Sequence, residues 1–101
     1  MVNKKPGVVW SDEAKQQLKA TYKFIKKDSV QNAEKVRGDI VTNASELAKH
    51  PDRYNPDKYK LSNDGSYRAF EKQRYRVAYR VLKNEIRILR VRHTSLEPKQ
   101  Y

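Results

Sequence analysis

Residues 74–93, with the sequence RYRVAYRVLKNEIRILRVRH, decide the fold of this chain. Two runs rich in Val, Ile, Leu and Tyr flank the polar pair Lys83-Asn84, and this pattern predicts an antiparallel hairpin with a tight turn. Successive side chains of a strand point to opposite faces. The predicted core face of the first strand consists of Tyr75, Val77, Tyr79 and Val81. The opposite face, rich in guanidinium groups, consists of Arg74, Arg76, Ala78 and Arg80.

Positive charge is concentrated in and just before this hairpin. The basic residues between positions 68 and 92 are Arg68, Lys72, Arg74, Arg76, Arg80, Lys83, Arg87, Arg90 and Arg92, and the acids there are Glu71 and Glu85. Guanidinium groups held this close repel one another, and each can bind a phosphate through two hydrogen bonds. The pattern therefore favours a surface for a polyanion over a solvated sheet face, because sheet edges are normally protected by scattered lysines.

Composition narrows the class of protein further. The 101 residues suffice for one domain, residues 1–101, with a modest core. A formal charge of +11 indicates nucleic acid, an anionic membrane or an acidic protein as partner. The sequence has no cysteine, no apolar run of transmembrane length and no signal-peptide core. We therefore expect a soluble protein of the cytoplasm that is not a membrane protein.

The first half of the chain predicts one strand and two helices. Val8-Val9-Trp10 is a short strand, and Ser11 is the expected N-cap of a helix that reaches about Lys27. Apolar residues at helical spacing predict a second helix from about Val30 to His50-Pro51, where the proline ends it. Helices joined by so short a connection form an antiparallel hairpin.

The second half supplies the rest of the sheet. Residues 51–65 are rich in Pro, Asn, Asp and Gly and predict a loop. Residues 67–72 alternate as a strand, and a short turn containing Gln73 leads into the hairpin. The expected fold is α+β in the order β-αα-βββ, with the N-terminal helical hairpin packed on one face of an antiparallel sheet.

The residues exclude several kinds of chemistry and leave one. Two histidines, three glycines and no cysteine form no metal site, no glycine-rich phosphate loop and no catalytic triad, so we expect neither a metal nor a small-molecule cofactor. Metal-free cleavage of a phosphodiester remains, in which a base, cations and an acid act on RNA. Arg76 is the candidate for the scissile phosphate, and His93 is a candidate base or acid. Tyr101 can act as the base or the acid only if the positive field of the arginines stabilises its phenolate.

Other interpretations of these residues stay open. His93 can equally be a structural residue at a strand end, and His50 is best explained as a helix C-terminal residue that the helix dipole favours. The aromatic rings of Tyr75 and Tyr79 suit the core better than base stacking. Strict alternation does not decide which face of the last strand is functional. The candidate substrate-binding residues are Arg68, Lys72, Arg74, Arg80, Arg90 and Arg92.

With these segments in view, the chain resembles the RelE/ParE superfamily of bacterial toxins. The element order matches, and the similarity lies mainly in residues 75–81 (YRVAYRV) and 88–95 (ILRVRHTS). His50-Pro51-Asp52 and Asn63-Asp64-Gly65 are also similar to family segments. The resemblance implies the toxin of a type II toxin-antitoxin module, bound by an acidic antitoxin. An acidic amphipathic antitoxin also follows from the charge of the chain.

The superfamily has two known activities. RelE-like members cleave mRNA in the ribosomal A site, and ParE-like members poison DNA gyrase. The resemblance places Arg76 on the arginine that RelE-like nucleases use at the scissile phosphate, Tyr101 near their catalytic tyrosine, and His93 near a histidine of other nuclease members. Their lysine pair is replaced here by Tyr67 and Ala69. We expect ribosome-dependent mRNA cleavage, with gyrase inhibition by protein binding, or nucleic-acid binding without catalysis, as alternatives.

Overall fold

The computed structural model describes residues 7–96 and 99–101. Its elements are β1 (Gly7–Trp10), α1 (Asp12–Lys26), α2 (Val30–Glu46), β2 (Tyr67–Lys72), β3 (Tyr75–Val81) and β4 (Glu85–His93). The predicted order β-αα-βββ is confirmed. Of the segment that follows β4, Glu97 and Pro98 lie outside the described residues.

The strands form one sheet in the order β1-β4-β3-β2. β2, β3 and β4 are antiparallel neighbours, as predicted, and β1 joins the edge of β4 in parallel, so the sheet is mixed. The turn between β2 and β3 has positive φ at both central residues, Gln73 (53°) and Arg74 (68°). Positive φ at both positions is what a two-residue type I′ turn requires, and its twist matches that of the flanking strands.

Serine residues begin both helices. Ser11 and Ser29 are extended at the N-cap, and their hydroxyls accept hydrogen bonds from the backbone N–H of Ala14 (3.1 Å) and Asn32 (3.0 Å). The Ser11 hydroxyl also donates to the carbonyl of Leu89 in β4 (3.0 Å). The second helix was predicted to reach His50, but its last residues form tighter three-residue turns such as Leu47 N–H to Ala44 C=O (3.1 Å).

The core lies between the helical hairpin and one face of the sheet. The helices contribute Ala14, Val36, Ile40, Ala44 and Leu47, and the sheet contributes Phe70, Tyr75, Val77, Tyr79, Ile86, Ile88 and Val91. We call this sheet surface the helix face. Val41 of α2 lies outside this core and is 42% exposed.

A β-bulge in β4 explains why simple alternation did not predict which of its side chains face the core. Ala78 pairs with Arg90 and the next residue, Tyr79, pairs with Ile88, so Leu89 is an extra residue without a partner position. The extra residue reverses the facing of the strand at this point. Ile86, Ile88 and Val91 therefore all reach the core, although they do not share one parity.

The segment between α2 and β2 lies along the outer edge of β2. Pro56 forms an isolated antiparallel bridge with Arg68, and the backbone N–H groups of Asp57 and Ala69 donate to the carbonyls of Tyr67 (2.8 Å) and Asn55 (3.4 Å). This covering protects an edge that would otherwise offer free backbone groups.

No helix in residues 7–96 is both long enough and apolar enough to cross a membrane. The two helices contain 15 and 17 residues and carry many charged side chains.

Candidate functional site

The sheet surface opposite the helices carries a cluster of arginines, which we call the arginine face. Its members are Arg76 and Arg80 from β3 and Arg87, Arg90 and Arg92 from β4. Arg76 lies opposite Arg92, and Arg80 lies opposite Arg87. Like charges in directly opposed positions destabilise a sheet unless other groups compensate them.

Local groups compensate the outer part of this face. Arg87 forms an ion pair with Glu85 at 2.8 Å. The Arg80 Nε donates to the Ser66 hydroxyl at 3.2 Å, and its guanidinium lies 4.6 Å from the ring centre of Tyr67. Contacts between a guanidinium and an aromatic face are attractive because the ring carries negative charge density on its faces. These arginines remain near solvent, where such contacts constrain them only weakly.

At the centre of the arginine face lies Asp57, a buried carboxylate. It is 1% exposed, and among the described residues it is the one buried charged side chain. The loop that covers β2 places it there, since the backbone N–H of Asp57 donates to Tyr67 and its carbonyl accepts from Asn63 Nδ2 (3.3 Å). The backbone N–H of Tyr59 donates to Asp57 Oδ1 at 3.1 Å.

Arg76 is held between two carboxylates. Its Nη2 lies 2.9 Å from Asp57 Oδ1, and its Nη1 lies 2.9 Å from Glu71 Oε2. Its guanidinium also lies 4.8 Å from the ring centre of Tyr59. A charged hydrogen bond to a buried carboxylate is much stronger than a solvent-exposed pair. The charge of Arg76 is therefore compensated from inside the protein.

Tyr101 closes the cluster from the other side. Its hydroxyl donates to Asp57 Oδ2 at 2.7 Å, and its backbone pairs with the covering loop through Tyr101 N–H to Tyr59 C=O (3.1 Å) and Leu61 N–H to Tyr101 C=O (2.7 Å). The guanidinium of Arg90 lies 4.0 Å from the Tyr101 ring centre. The same guanidinium donates a hydrogen bond to the Lys99 carbonyl at 2.7 Å. Residues 99–101 thus pack on the arginine face and are held there by these hydrogen bonds.

These contacts determine the protonation states of the cluster. Burial alone would raise the pKa of Asp57, but hydrogen bonds from Tyr101, Arg76 and the Tyr59 backbone hold that pKa below its usual value. Burial and the bond to Asp57 raise the pKa of Tyr101 well above that of a free tyrosine. Burial would lower the pKa of Arg76, yet Asp57 and Glu71 raise it. At neutral pH the cluster is a carboxylate, a phenol and a guanidinium, and the phenolate that a proton-accepting Tyr101 requires is disfavoured.

Comparison with known proteins identifies the family. The sequence profile of the ParE toxin of type II toxin-antitoxin systems, parDE, matches residues 8–98. The chain belongs to the ParE toxin family. The resemblance to the RelE/ParE superfamily is thereby confirmed. No curated relative matches this ParE-family chain in sequence.

Solved structures share the ParE-family fold. The chromosomal ParDE toxin-antitoxin system from P. aeruginosa matches with a TM-score of 0.70 and 22% identity, over 90% of this chain and 98% of that one. The RelBE2 toxin-antitoxin complex from Mycobacterium tuberculosis matches with a TM-score of 0.63 and 19% identity, over 88% and 91%. The YoeB dimer from Staphylococcus aureus matches with a TM-score of 0.57 and 17% identity, over 89% and 98%. At these identities the similarity establishes the fold alone.

His93 is placed differently from the other two candidate catalytic residues of this ParE-family chain. Arg76 and Tyr101 both contact Asp57, but His93 pairs with Tyr75 in the sheet register and packs edge-on against the Tyr75 ring, with ring centres 5.0 Å apart. That ring lies on the helix face. The His93 Nδ1 accepts the Ser95 backbone N–H at 3.0 Å and lies 2.7 Å from the Ser95 hydroxyl. As the last residue of β4, His93 also borders the cleft beside Arg76.

The candidate substrate-binding residues divide into two groups. Arg80, Arg90 and Arg92 lie on the arginine face. Arg68 and Lys72 pair with Tyr79 and Tyr75 and so belong to the helix face, where Arg68 forms an ion pair with Asp52 at 3.8 Å and donates to the Tyr54 carbonyl. Arg74 lies in the turn before β3, not in the strand. The structure thus brings three of the six together with Arg76, and the roles of all six stay predictions.

Sequence reasoning missed Asp57 altogether. In the sequence it stands between Pro56 and Lys58 in a loop of turn-forming residues, where an aspartate is ordinary. The available signal was the repulsion within the arginine cluster, which we attributed to an arriving polyanion. The ParE-family chain instead supplies part of the counter-charge itself, through Asp57, Glu71 and Glu85.

Proposed function

We propose that this ParE-family toxin inhibits growth by binding DNA gyrase in the cytoplasm, and not by cleaving mRNA. The observation that carries the proposal is the double ion pair of Arg76 with Asp57 and Glu71, both at 2.9 Å. The family profile matched by residues 8–98 points the same way. The activity favoured by sequence alone, ribosome-dependent cleavage, thus becomes the second candidate.

The physical argument concerns what a nuclease site must have ready. Electrostatic catalysis relies on cations that are already aimed at the charge of the transition state. In this chain, Arg76 reaches a phosphate only by giving up a buried carboxylate, whose own charge would then be uncompensated. A proton acceptor is also needed, and Asp57 has a lowered pKa while Tyr101 is a firmly protonated phenol. The cluster of Asp57, Arg76 and Tyr101 is therefore better suited to holding the surface in shape than to transferring a proton.

The remaining surface suits recognition of a protein. Arginine and tyrosine are enriched where proteins bind one another, because each offers a large contact area with polar groups at its end. The arginine face presents Arg80 over Tyr67 at 4.6 Å and Arg90 over Tyr101 at 4.0 Å. Such pairs are preorganised, so little side-chain entropy is lost when a partner binds. A target with acidic groups fits this surface.

Ribosome-dependent mRNA cleavage is supported by a different observation. Arg76 and Tyr101, which the superfamily resemblance assigned to RelE-like chemistry, share the carboxylate of Asp57. A substrate that displaced this carboxylate would meet a guanidinium and a phenol side by side. His93 borders the same cleft, so that a change of its side-chain orientation would complete the candidate set.

We also propose an acidic antitoxin as the cellular partner. The chain carries a formal charge of +11, and the neighbouring structures named ParDE and RelBE2 are toxin-antitoxin assemblies. An acidic amphipathic segment would neutralise the arginine face and compete with the target. Binding that disappears in moderate salt would contradict a specific complex, because nonspecific charge attraction is screened while packed contacts are not.

The deciding experiment measures both activities of one preparation. Purified toxin is incubated with DNA gyrase and supercoiled plasmid, and separately with a defined mRNA in a reconstituted translation reaction with and without ribosomes. We expect gyrase-dependent DNA breakage and intact mRNA by primer extension. We also expect His93→Ala to retain growth arrest, since a protein-binding toxin does not need its imidazole. Ribosome-dependent cleavage that is lost in Arg76→Ala and His93→Ala would establish the nuclease instead.

A further inference from the structure

Arg76 differs from the other arginines of its face in what surrounds it. Its side chain is 19% exposed, and the Asp57 side chain that it contacts is fully buried. Its Nε is also buried and has no hydrogen-bond acceptor among the described residues. By contrast, the side chain of Arg87 is 48% exposed and pairs with a partly exposed acid. Arg76 is thus harder for nucleic acid to reach than Arg87, and of the arginines on this face it is the one whose ion pair is with a fully buried carboxylate.

The Asp57 carboxylate occupies the position that a phosphate would take. Carboxylate and phosphate oxygens accept the same charged hydrogen bonds from a guanidinium. Asp57 Oδ1 takes the Arg76 Nη2 donor at 2.9 Å, and Oδ2 takes the Tyr101 hydroxyl at 2.7 Å. Each oxygen therefore already has a strong donor. A phosphate arriving at Arg76 would compete with a ligand that is covalently part of the chain and always present.

Residues 99–101 keep this internal anion in place. The Tyr101 backbone forms two hydrogen bonds to the loop that carries Asp57, at Tyr59 (3.1 Å) and Leu61 (2.7 Å). Lys60 Nζ donates to the Tyr101 carbonyl at 3.2 Å. Rotation of Asp57 away from Arg76 would break the bond to Tyr101 as well, so the two contacts stabilise each other.

We propose that Asp57 is a specificity determinant that excludes nucleic-acid phosphates from Arg76. The carboxylate lowers the affinity of the arginine face for RNA, and leaves it available to a protein partner. Rejection of the wrong partner by a fixed like charge is a general means of obtaining specificity. This inference extends the proposed function, in which the target is a protein, but its test requires no gyrase.

The test measures binding of a short single-stranded RNA by fluorescence anisotropy over a series of salt concentrations. Asp57→Asn keeps the shape of the side chain and removes its charge. Asp28→Asn, in the connection between the helices, makes the same change of net charge away from the sheet and is the matched control. One additional phosphate contact steepens the slope of log affinity against log salt by about 0.7, which is about fivefold in affinity near 0.1 M salt.

We expect Asp57→Asn to bind RNA about fivefold more tightly than Asp28→Asn near 0.1 M salt, with the steeper slope. The gain should vanish in the double variant Asp57→Asn, Arg76→Gln, since the released arginine is its cause. Equal affinities and slopes for Asp57→Asn and Asp28→Asn would overturn the proposal. A gain that survives in the double variant would overturn it as well.

A second comparison applies if Asp57→Asn does not melt cooperatively. Arg76→Gln is then compared with Arg37→Gln, which removes an arginine paired with Glu34 on the helical hairpin. A masked Arg76 predicts that its loss weakens RNA binding no more than the loss of Arg37. A markedly larger loss for Arg76→Gln would show that phosphates already reach it. DNA breakage by gyrase is a separate readout, so failure of the proposed target leaves these RNA results interpretable.

Discussion

The hydroxyl of Tyr101 donates a 2.7 Å hydrogen bond to Oδ2 of Asp57, although 44 residues separate the two in the chain. Through Asp57 this contact joins the 99–101 segment to Arg76 on the central strand β3. Residues 99–101 are therefore part of the folded unit. Four measurements test what this and related contacts contribute.

Removal of Asp57 should destabilise the protein far more than removal of the Tyr101 hydroxyl. Asp57→Ala leaves Arg76 without its buried partner, and breaking such a pair costs about 3 kcal/mol. Tyr101→Phe loses one hydrogen bond, at about 1 kcal/mol. Unfolding in urea measures both, with Asp28→Ala as the control for charge alone. Similar losses for the two variants would show that Arg76 is satisfied by Glu71.

The contribution of Asp57 to the free energy of unfolding should disappear in acid. Its pKa in the folded protein is lower than in the unfolded chain, so its stabilising effect is complete above the ordinary carboxyl pKa of about 3.9 and is lost as pH falls through the folded value. The difference in unfolding free energy between wild type and Asp57→Asn should therefore be constant near neutrality and shrink below about pH 4. Urea unfolding at several pH values checks this. A gap that persists in strong acid would contradict the assignment.

The contribution of Tyr101 to the free energy of unfolding should disappear in alkali. Its pKa is raised in the folded protein, so its contribution is present below the ordinary tyrosine pKa of about 10 and is lost as pH rises through the folded value. In an ultraviolet titration of phenolate, wild type should retain one more late-titrating tyrosine than Tyr101→Phe. Tyr79, whose pKa burial raises to about 12, serves as the late-titrating reference present in both proteins. A difference between the two curves that titrates near pH 10, as an ordinary tyrosine does, would contradict the Asp57 contact.

Ser11→Ala should cost more stability than Ser29→Ala. Both serines cap helices, and loss of a cap costs about 1 kcal/mol. Ser11 also donates to the carbonyl of Leu89, and that second bond adds about 1 kcal/mol. Chemical unfolding of the two variants gives the comparison directly. Equal costs would mean that water replaces Ser11 at the bulge.

The parts of the fold that follow from local pattern were predictable from sequence. The strand at residues 67–72 and the cap at Ser11 depend on neighbours within a few residues, and so do the apolar stripes of the helices. The pairing of β1 with β4 in parallel depends instead on contacts between distant parts of the chain.

The candidate site was predictable only in part. Arg76, Arg80, Arg90 and Arg92 were identified as candidates, but alternation left the face of Arg90 and Arg92 open, and the register of β3 with β4 places all four on one face. Asp57 was not identified, because burial of a carboxylate is decided by the tertiary position of its loop. The face of His93 was open for a related reason, since a bulge of one residue leaves no clear mark in a strand rich in both arginine and branched residues.

The unpaired Leu89 also bears on how relatives of this protein are compared. An alignment without a gap at this position would equate Arg90 and Arg92 with inward-facing residues of a relative whose strand is regular. Insertion or deletion of one residue at this point of β4 would move Arg90 and Arg92 from one side of the sheet to the other. Toxins of similar composition can thereby expose their arginines on opposite faces of the sheet.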